Sequence, residues 1–318
     1  NTKDFRYEYE FCCGVASDIE DQEKYTFEQM LTNVMFALAQ SKEASSENIC
    51  FFDEEVHKKK EFENFIESNM QQALDSQCFE MVLQPKMNLQ TNSVIAAEAL
   101  VRWRLEDGTY LPPSSFVDIF EKNRFCSKLD FYMLKKAIQQ IRKWIDMGMN
   151  PVNISVNQSK IVFYHENYIS ELKSLLEEYN VSGSYITLEV LESTVIEDID
   201  IFNSILTEVK KLGFSVSLDD FGSGYSSLNV LSKLQIDELK IDRIFLHTKS
   251  EVDNQRTKWI LESIIDIAKK SQILVVVEGV ESKQDDLFIK NLGADVGQGY
   301  FYGRPLSISA FNDLIETK

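Results

Sequence analysis

From Phe79 to the C-terminus, short apolar runs alternate with segments of helical spacing, and this alternation constrains the fold more than any other feature. The runs fall at 79–83, 94–103, 152–156, 185–188, 214–218, 237–241 and 273–277, with a weaker one at 295–298. Helical patterns occupy 128–147, 168–179, 201–212, 252–270 and 284–292. Near-continuous apolar strands separated by helices predict a parallel sheet covered on both faces. About eight such units predict a closed (β/α)8 barrel of the TIM type. A doubly wound open sheet is the alternative, and no glycine-rich dinucleotide loop follows the first run to support it.

In run after run, the apolar stretch gives way to a polar group able to bind metal or phosphate. These groups are Glu98, Asn157, Glu189, the pair Asp219 and Asp220, Lys240 and Glu278. One such residue would be a strand end reaching water. Several strands doing so at one end is what a barrel active site requires, because its reactive groups sit at the C-terminal face.

Asp219 and Asp220 stand back to back, and successive strand residues point to opposite faces. Both serve one site only if the chain leaves strand geometry, which Gly222 and Gly224 are expected to permit. Adjacent carboxylates resist joint ionisation unless cations lie between them. A divalent-metal site at a strand mouth is the expected result. Carboxylates with one amide oxygen suit hard octahedral ions, Mg2+ or Mn2+, and a shared carboxylate suits two-metal phosphoester hydrolysis. Lys240 is expected to take a proton or to stabilise charge there.

Composition narrows the alternatives. The formal charge of -18 argues against a nucleic-acid polymer as partner. His57, His165 and His247 all lie away from these motifs, so histidine-based zinc or triad chemistry is not expected. The five cysteines show no paired metal spacing and read as reduced thiols of a cytoplasmic protein. No signal peptide or membrane-length apolar run is seen, and a chain opening on Asn1 reads as a fragment of a longer one.

Residues 1–55 predict a small α+β segment, with strands at 7–15 and 49–52 flanking a helix at 26–41. Residues 56–77 predict a connecting helix, with Phe62, Phe65, Ile66, Met70, Ala73 and Leu74 on its apolar face. The barrel is then expected over 78–318.

The motif Glu98-Ala99-Leu100-Val101-Arg102-Trp103 resembles the signature of EAL-domain phosphodiesterases, which linearise cyclic di-GMP. The resemblance extends through Gln84-Pro85, Asn153-Ile154-Ser155-Val156-Asn157, and Glu189 with Glu192-Ser193. It continues through the stretch from Asp219 to Leu228, Leu239-Lys240-Ile241-Asp242, Val277-Glu278-Gly279-Val280-Glu281 and Gln298-Gly299-Tyr300. Ser223 and Leu191 stand where the family usually has threonine, and Lys122 and Asn123 where an acidic or small residue is common. None of these departures removes a ligand. Residues 1–55 more weakly resemble the C-terminal part of a GGDEF domain, through Phe11-Cys12-Cys13-Gly14-Val15-Ala16 and the helix at 30–42.

The resemblance implies a first metal held by Glu98, Asn157, Glu189 and Asp219, with Asp219 bridging to a second held by Asp220. Glu278 and Gln298 would support the second ion and its waters, and Lys240 the attacking water. Arg102 would grip a phosphate, while Gln84, Leu100, Asp242 and Glu281 would face the nucleotide. Glu192 would anchor the loop 219–227, which couples metal binding to homodimerisation in the family. Calcium is expected to inhibit. A receptor that binds cyclic di-GMP without cutting it is the alternative, and members of that kind usually lack a ligand or the lysine.

Overall fold

The computed structural model describes residues 11–17, 25–43, 48–192, 199–222, 231, 233–246 and 251–316. It divides into two compact units, 1–70 and 71–318. In the first, strands β1 (Cys13–Val15) and β2 (Ile49–Phe51) pair in parallel, and the helix Phe27–Glu43 connects them in sequence. Of the strand expected at 7–15 only the part from residue 11 is described. The helix Glu54–Asp75 contains the division between the units. Its first turn is capped by Asp53 Oδ1, which accepts from the N–H groups of Glu55 and Val56.

The second unit is built on β3 (Phe79–Asn88), β4 (Ser93–Arg104), β5 (Tyr110–Leu111), β6 (Asn153–Gln158), β7 (Ile186–Leu191) and β8 (Ser215–Phe221), then β9 (Glu238–Ile241), β10 (Leu274–Val277) and β11 (Val296–Gln298). The order runs β3-β11-β10-β9-β8-β7-β6-β4, and β3 also pairs with β4. Eight strands therefore close into a barrel, with β5 appended to the projecting end of β4. The helices expected between the runs are present, their ends within two residues of expectation.

Two features depart from the expected parallel barrel. The strand β3 runs antiparallel to both its neighbours. It is also five residues longer than its apolar run, which ended at Leu83. A four-residue connection joins it to β4, with Asn88 Oδ1 accepting from the N–H groups of Gln90 and Thr91. So short a link permits only an antiparallel return. The second departure is in the strands themselves. On β6, β7 and β8 the outward parity is apolar (Ile154, Val156, Leu188, Val190, Val216, Leu218), and all of these are buried. The other parity carries Ser155, Asn157, Thr187, Glu189, Ser217 and Asp219. The apolar core thus lies between these strands and the surrounding helices, while on β6, β7 and β8 the side chains facing the barrel interior are polar.

Candidate functional site

Register brings the polar parity together. Glu98 pairs with Ser155 on β6 and with Gln84 on β3. Asn157 lies beside Glu189, and Lys240 beside Val276, two residues below Glu278. Glu98 does not end its strand, since β4 continues to Arg104. Its pairing with β6 stops at Ala99, however, so Glu98 still sits at the rim of the closed barrel.

The two adjacent aspartates reach one site, but the turn is made at Asp220 itself and not first at a glycine. Asp220 has φ +56°, in the left-handed region that Asp tolerates better than most residues. Its N–H donates to Asp219 Oδ1 at 2.8 Å. The pairing of β8 with β9 shifts register between Leu218 and Phe221, the signature of a bulge. Gly222 follows at φ +101°, where an added Cβ would lie 2.1 Å from the Phe245 ring. Gly224 lies outside the described residues.

Lys240 is the centre of the cluster. Its Nζ lies 2.9 Å from Glu189 Oε2, 3.0 Å from Asp219 Oδ1, 2.8 Å from Glu278 Oε1 and 3.5 Å from Glu98 Oε2. Asn157 Nδ2 donates to Glu98 Oε1 at 3.0 Å, and Gln298 Nε2 donates to Glu98 Oε2. Burial pulls the Lys240 ammonium toward neutrality, but the four carboxylates outweigh it and hold its pKa well above the usual lysine value. Without bound ions, the Lys240 ammonium is the counter-charge of these four carboxylates.

The carboxylates divide by what faces them. Burial raises Glu98, Asp219 and Asp220 above the ordinary range. Burial, with Asp219 and Glu98 nearby, pushes Glu278 up to about 8 against the pull of Lys240. Glu189 goes the other way: burial opposes its charge, but Lys240 and a second ammonium, Lys86, bring it down to about 2.

This donor set fits divalent ions. Glu98, Glu189 and Asp219 can each offer an oxygen to one ion, and Asp219, Asp220 and Glu278 to another. All are hard oxygen donors, as Mg2+ or Mn2+ requires. Gln298 Oε1, beside Glu98, is buried without a hydrogen-bond partner, an acceptor suited to an ordered water on a bound ion.

An open cavity of about 320 Å3 covers the cluster. It collects Gln84, Glu98, Asp219, Asp220, Lys240, Glu278, Glu281 and Gln298 from the expected set. Leu100 instead lines a neighbouring, more apolar cavity with Pro113, Asp130, Asn157 and Leu191. Arg102 is half-buried on β4, its Nη1 donating to the Val101 carbonyl at 2.8 Å. Asp242 caps the turn Arg243–Phe245, accepting from the Ile244 N–H at 2.7 Å. Glu192 follows β7 and is buried. The loop it was expected to hold lies, over 223–230, outside the described residues.

Sequence reasoning missed three residues. Lys86 is fully buried among Ser155, Glu189 and Glu238. A lysine two positions from Gln84 on one strand shares its face, and that parity was the available signal. Arg243 lines the cavity, where Gly279 (φ +66°) makes room for it: an added Cβ would lie 2.2 Å from Arg243 Cβ. Asp130, on the helix Cys126–Asp146, accepts from Ser159 N and Oγ, and burial pushes its carboxyl up to about 7. No spacing rule marks it.

The model of the EAL domain family matches residues 67–305. MucR of Pseudomonas aeruginosa, a bifunctional diguanylate cyclase/cyclic di-GMP phosphodiesterase, is 29% identical over 95% of this chain and 44% of its own length. The cyclic di-GMP phosphodiesterase NbdA of the same organism is 33% identical over 91% of this chain and 36% of its own. A solved MucR phosphodiesterase in complex with c-di-GMP superposes with a TM-score of 0.71 at 32% identity, covering 77% of this chain and 99% of that one. The chain spans less than half the length of these two curated relatives.

Proposed function

We propose, for a chain that belongs to the EAL domain family, that it hydrolyses one phosphodiester bond of cyclic di-GMP to the linear dinucleotide pGpG, with two Mg2+ or Mn2+ ions. The observation that carries the reading is that Asp219 belongs to both carboxylate groups able to hold an ion. Ions held there would lower the pKa of a water between them and neutralise the phosphate oxygens.

The chain's own residues supply the rest. Glu98, Asn157, Glu189 and Asp219 would hold the first ion, with Asp220 and Glu278 completing the second site. Lys240 steadies the attacking water and the charge that develops on the phosphate. Arg102 binds a phosphate oxygen, and Gln298 orders water at the ions. Gln84, Leu100, Asp242 and Glu281 face the nucleotide, and the apolar cavity beside Leu100 takes a base. Glu192 anchors the loop 219–227, through which a homodimer forms.

In the whole protein, residues 1–55 are the end of a GGDEF-like domain, 56–77 a connecting helix and 78–318 the phosphodiesterase barrel. Among the described residues no helix is long and apolar enough to cross a membrane, and the proposed site of action is the cytoplasm. The test is chromatography of cyclic di-GMP incubated with the chain and Mg2+ or Mn2+, with and without EDTA. Accumulation of pGpG that EDTA stops supports the reading. Binding without product would make the chain a receptor instead.

A further inference from the structure

We infer that Lys86 is a positioning residue for the proposed metal centre: it holds Glu189 Oε1, so that Glu189 offers an ion only Oε2. The inference rests on the two-metal reading given above.

Lys86 lies on β3, two residues deeper into the barrel than Gln84. It is 0% exposed. Its Nζ reaches Ser155 Oγ at 2.7 Å, Glu189 Oε1 at 2.8 Å and Glu238 Oε1 at 2.8 Å. An ammonium has three protons, and three acceptors at these distances use them all. Glu189 Oε2 faces the other way, to Lys240 Nζ at 2.9 Å. One carboxylate is thus held between two lysines, one oxygen each.

The two lysines are not equivalent. Lys240 also lies close to Glu98, Asp219 and Glu278, the other carboxylates that could hold ions. Cations arriving there compete with its ammonium for those oxygens. The ion-pair partners of Lys86 are Glu189 and Glu238, and Glu238 belongs to neither ion-holding group. Ions at the rim therefore have no reason to displace Lys86. It fixes the rotation of the Glu189 carboxylate before any ion binds, and Glu238 balances its charge. Partners behind a ligand that set its orientation are typically worth about 10–100-fold in metal affinity.

Removing Lys86 alone would take the ion-pair partner from the buried Glu238 and leave Glu189 with Lys240 only, so the informative variant is the pair Lys86→Met with Glu238→Gln, which keeps the net charge. Mn2+ is titrated into the full chain by calorimetry, with free Mn2+ counted by electron paramagnetic resonance and melting temperature recorded in parallel. The double variant is expected to bind Mn2+ about tenfold or more weakly, while Glu238→Gln alone stays within about twofold of wild type. Wild-type affinity in a folded double variant overturns the inference and leaves the two-metal reading standing. A wild-type chain that binds no Mn2+ overturns both. A second measurement needs no variant: a crystal structure of the wild-type chain with Mn2+. Coordination through Glu189 Oε2 alone, with Oε1 still on Lys86, supports the inference. Chelation by both oxygens, or a released Lys86, overturns it.

Discussion

Asp219 and Asp220 serve one cavity because the backbone turns left-handed at Asp220 and its N–H closes onto Asp219 Oδ1 at 2.8 Å. The second carboxylate is thereby swung to the side of the first, and the strand resumes at Phe221 after a register shift. Asn tolerates the same conformation. Asp220→Asn should therefore keep the melting temperature within a few degrees while losing one of two Mn2+ equivalents and about tenfold or more of the activity. Calorimetric stoichiometry checks it, and two equivalents bound at wild-type affinity would remove Asp220 from the second site.

Gly222 makes a separate demand. Its φ of +101° strains any L side chain, and an added Cβ would lie 2.1 Å from the Phe245 ring. Gly222→Ala is expected to cost about 1–2 kcal/mol from backbone strain alone, read as a lower midpoint in urea. An unchanged midpoint would mean that the ring and backbone yield freely.

Glu98 is expected to bear on chemistry more than on folding. It is a rim carboxylate bonded to Asn157 and Gln298 and close to Lys240. Glu98→Ala should abolish pGpG formation and leave the circular dichroism of the fold intact. Lys240→Ala should reduce kcat more than cyclic di-GMP affinity, because an ammonium that acts on developing charge matters most in the transition state. A Lys240→Ala variant with wild-type kcat would exclude that role.

The pH dependence has a definite sign. Glu278 is pushed up from 4.5 to about 8 by burial. Between those values the folded, metal-free chain binds a proton that the unfolded chain does not, so its stability falls as pH rises through that window. Glu98, Asp219 and Asp220 are displaced in the same direction. Glu189 is displaced down to about 2, and its contribution is lost only as the medium is acidified through that value. Melting in EDTA should thus weaken from pH 5.5 to 8.5. With Mn2+ the trend should flatten or reverse, since the ligands must be deprotonated to bind. Parallel EDTA and Mn2+ curves would contradict the assignment of these carboxylates as ligands.

Calcium should occupy the site without supporting turnover. Its longer and looser coordination fits poorly between carboxylates spaced for a compact shared ligand. Addition of Ca2+ to the Mg2+ reaction should suppress pGpG release, and full turnover in Ca2+ alone would refute this.

Much of the candidate site was legible because apolar runs give way to Glu98, Asn157, Glu189, Asp219 and Glu278, whereas the period-two alternation that turns Ser155, Thr187 and Ser217 to the same face went unread. The ends of the apolar runs then marked the rim. Strand direction was not legible: an apolar run reads the same up or down, so nothing in residues 79–83 told that β3 is inverted. Lys86 was hidden for a related reason. It lies beyond the apolar run, where the strand had been taken to be over, and its partners come from β6, β7 and β9, far away in sequence. The left-handed turn at Asp220 was masked by the glycines after it, which seemed sufficient for the bend.

The inversion of β3 also decides where the chain comes in. A barrel of parallel strands receives its first strand at the floor, away from the chemistry. Here Phe79 pairs with Trp103 at the far end of β4, above the rim, and the strand descends past Gln84 to Lys86. Only three residues separate it from the helix ending at Asp75. The doorway of the barrel and its reaction chamber therefore share a threshold. The segment that leads into the barrel thus arrives on the side where the carboxylates lie, and the strand it enters by is the one bearing Gln84 and Lys86.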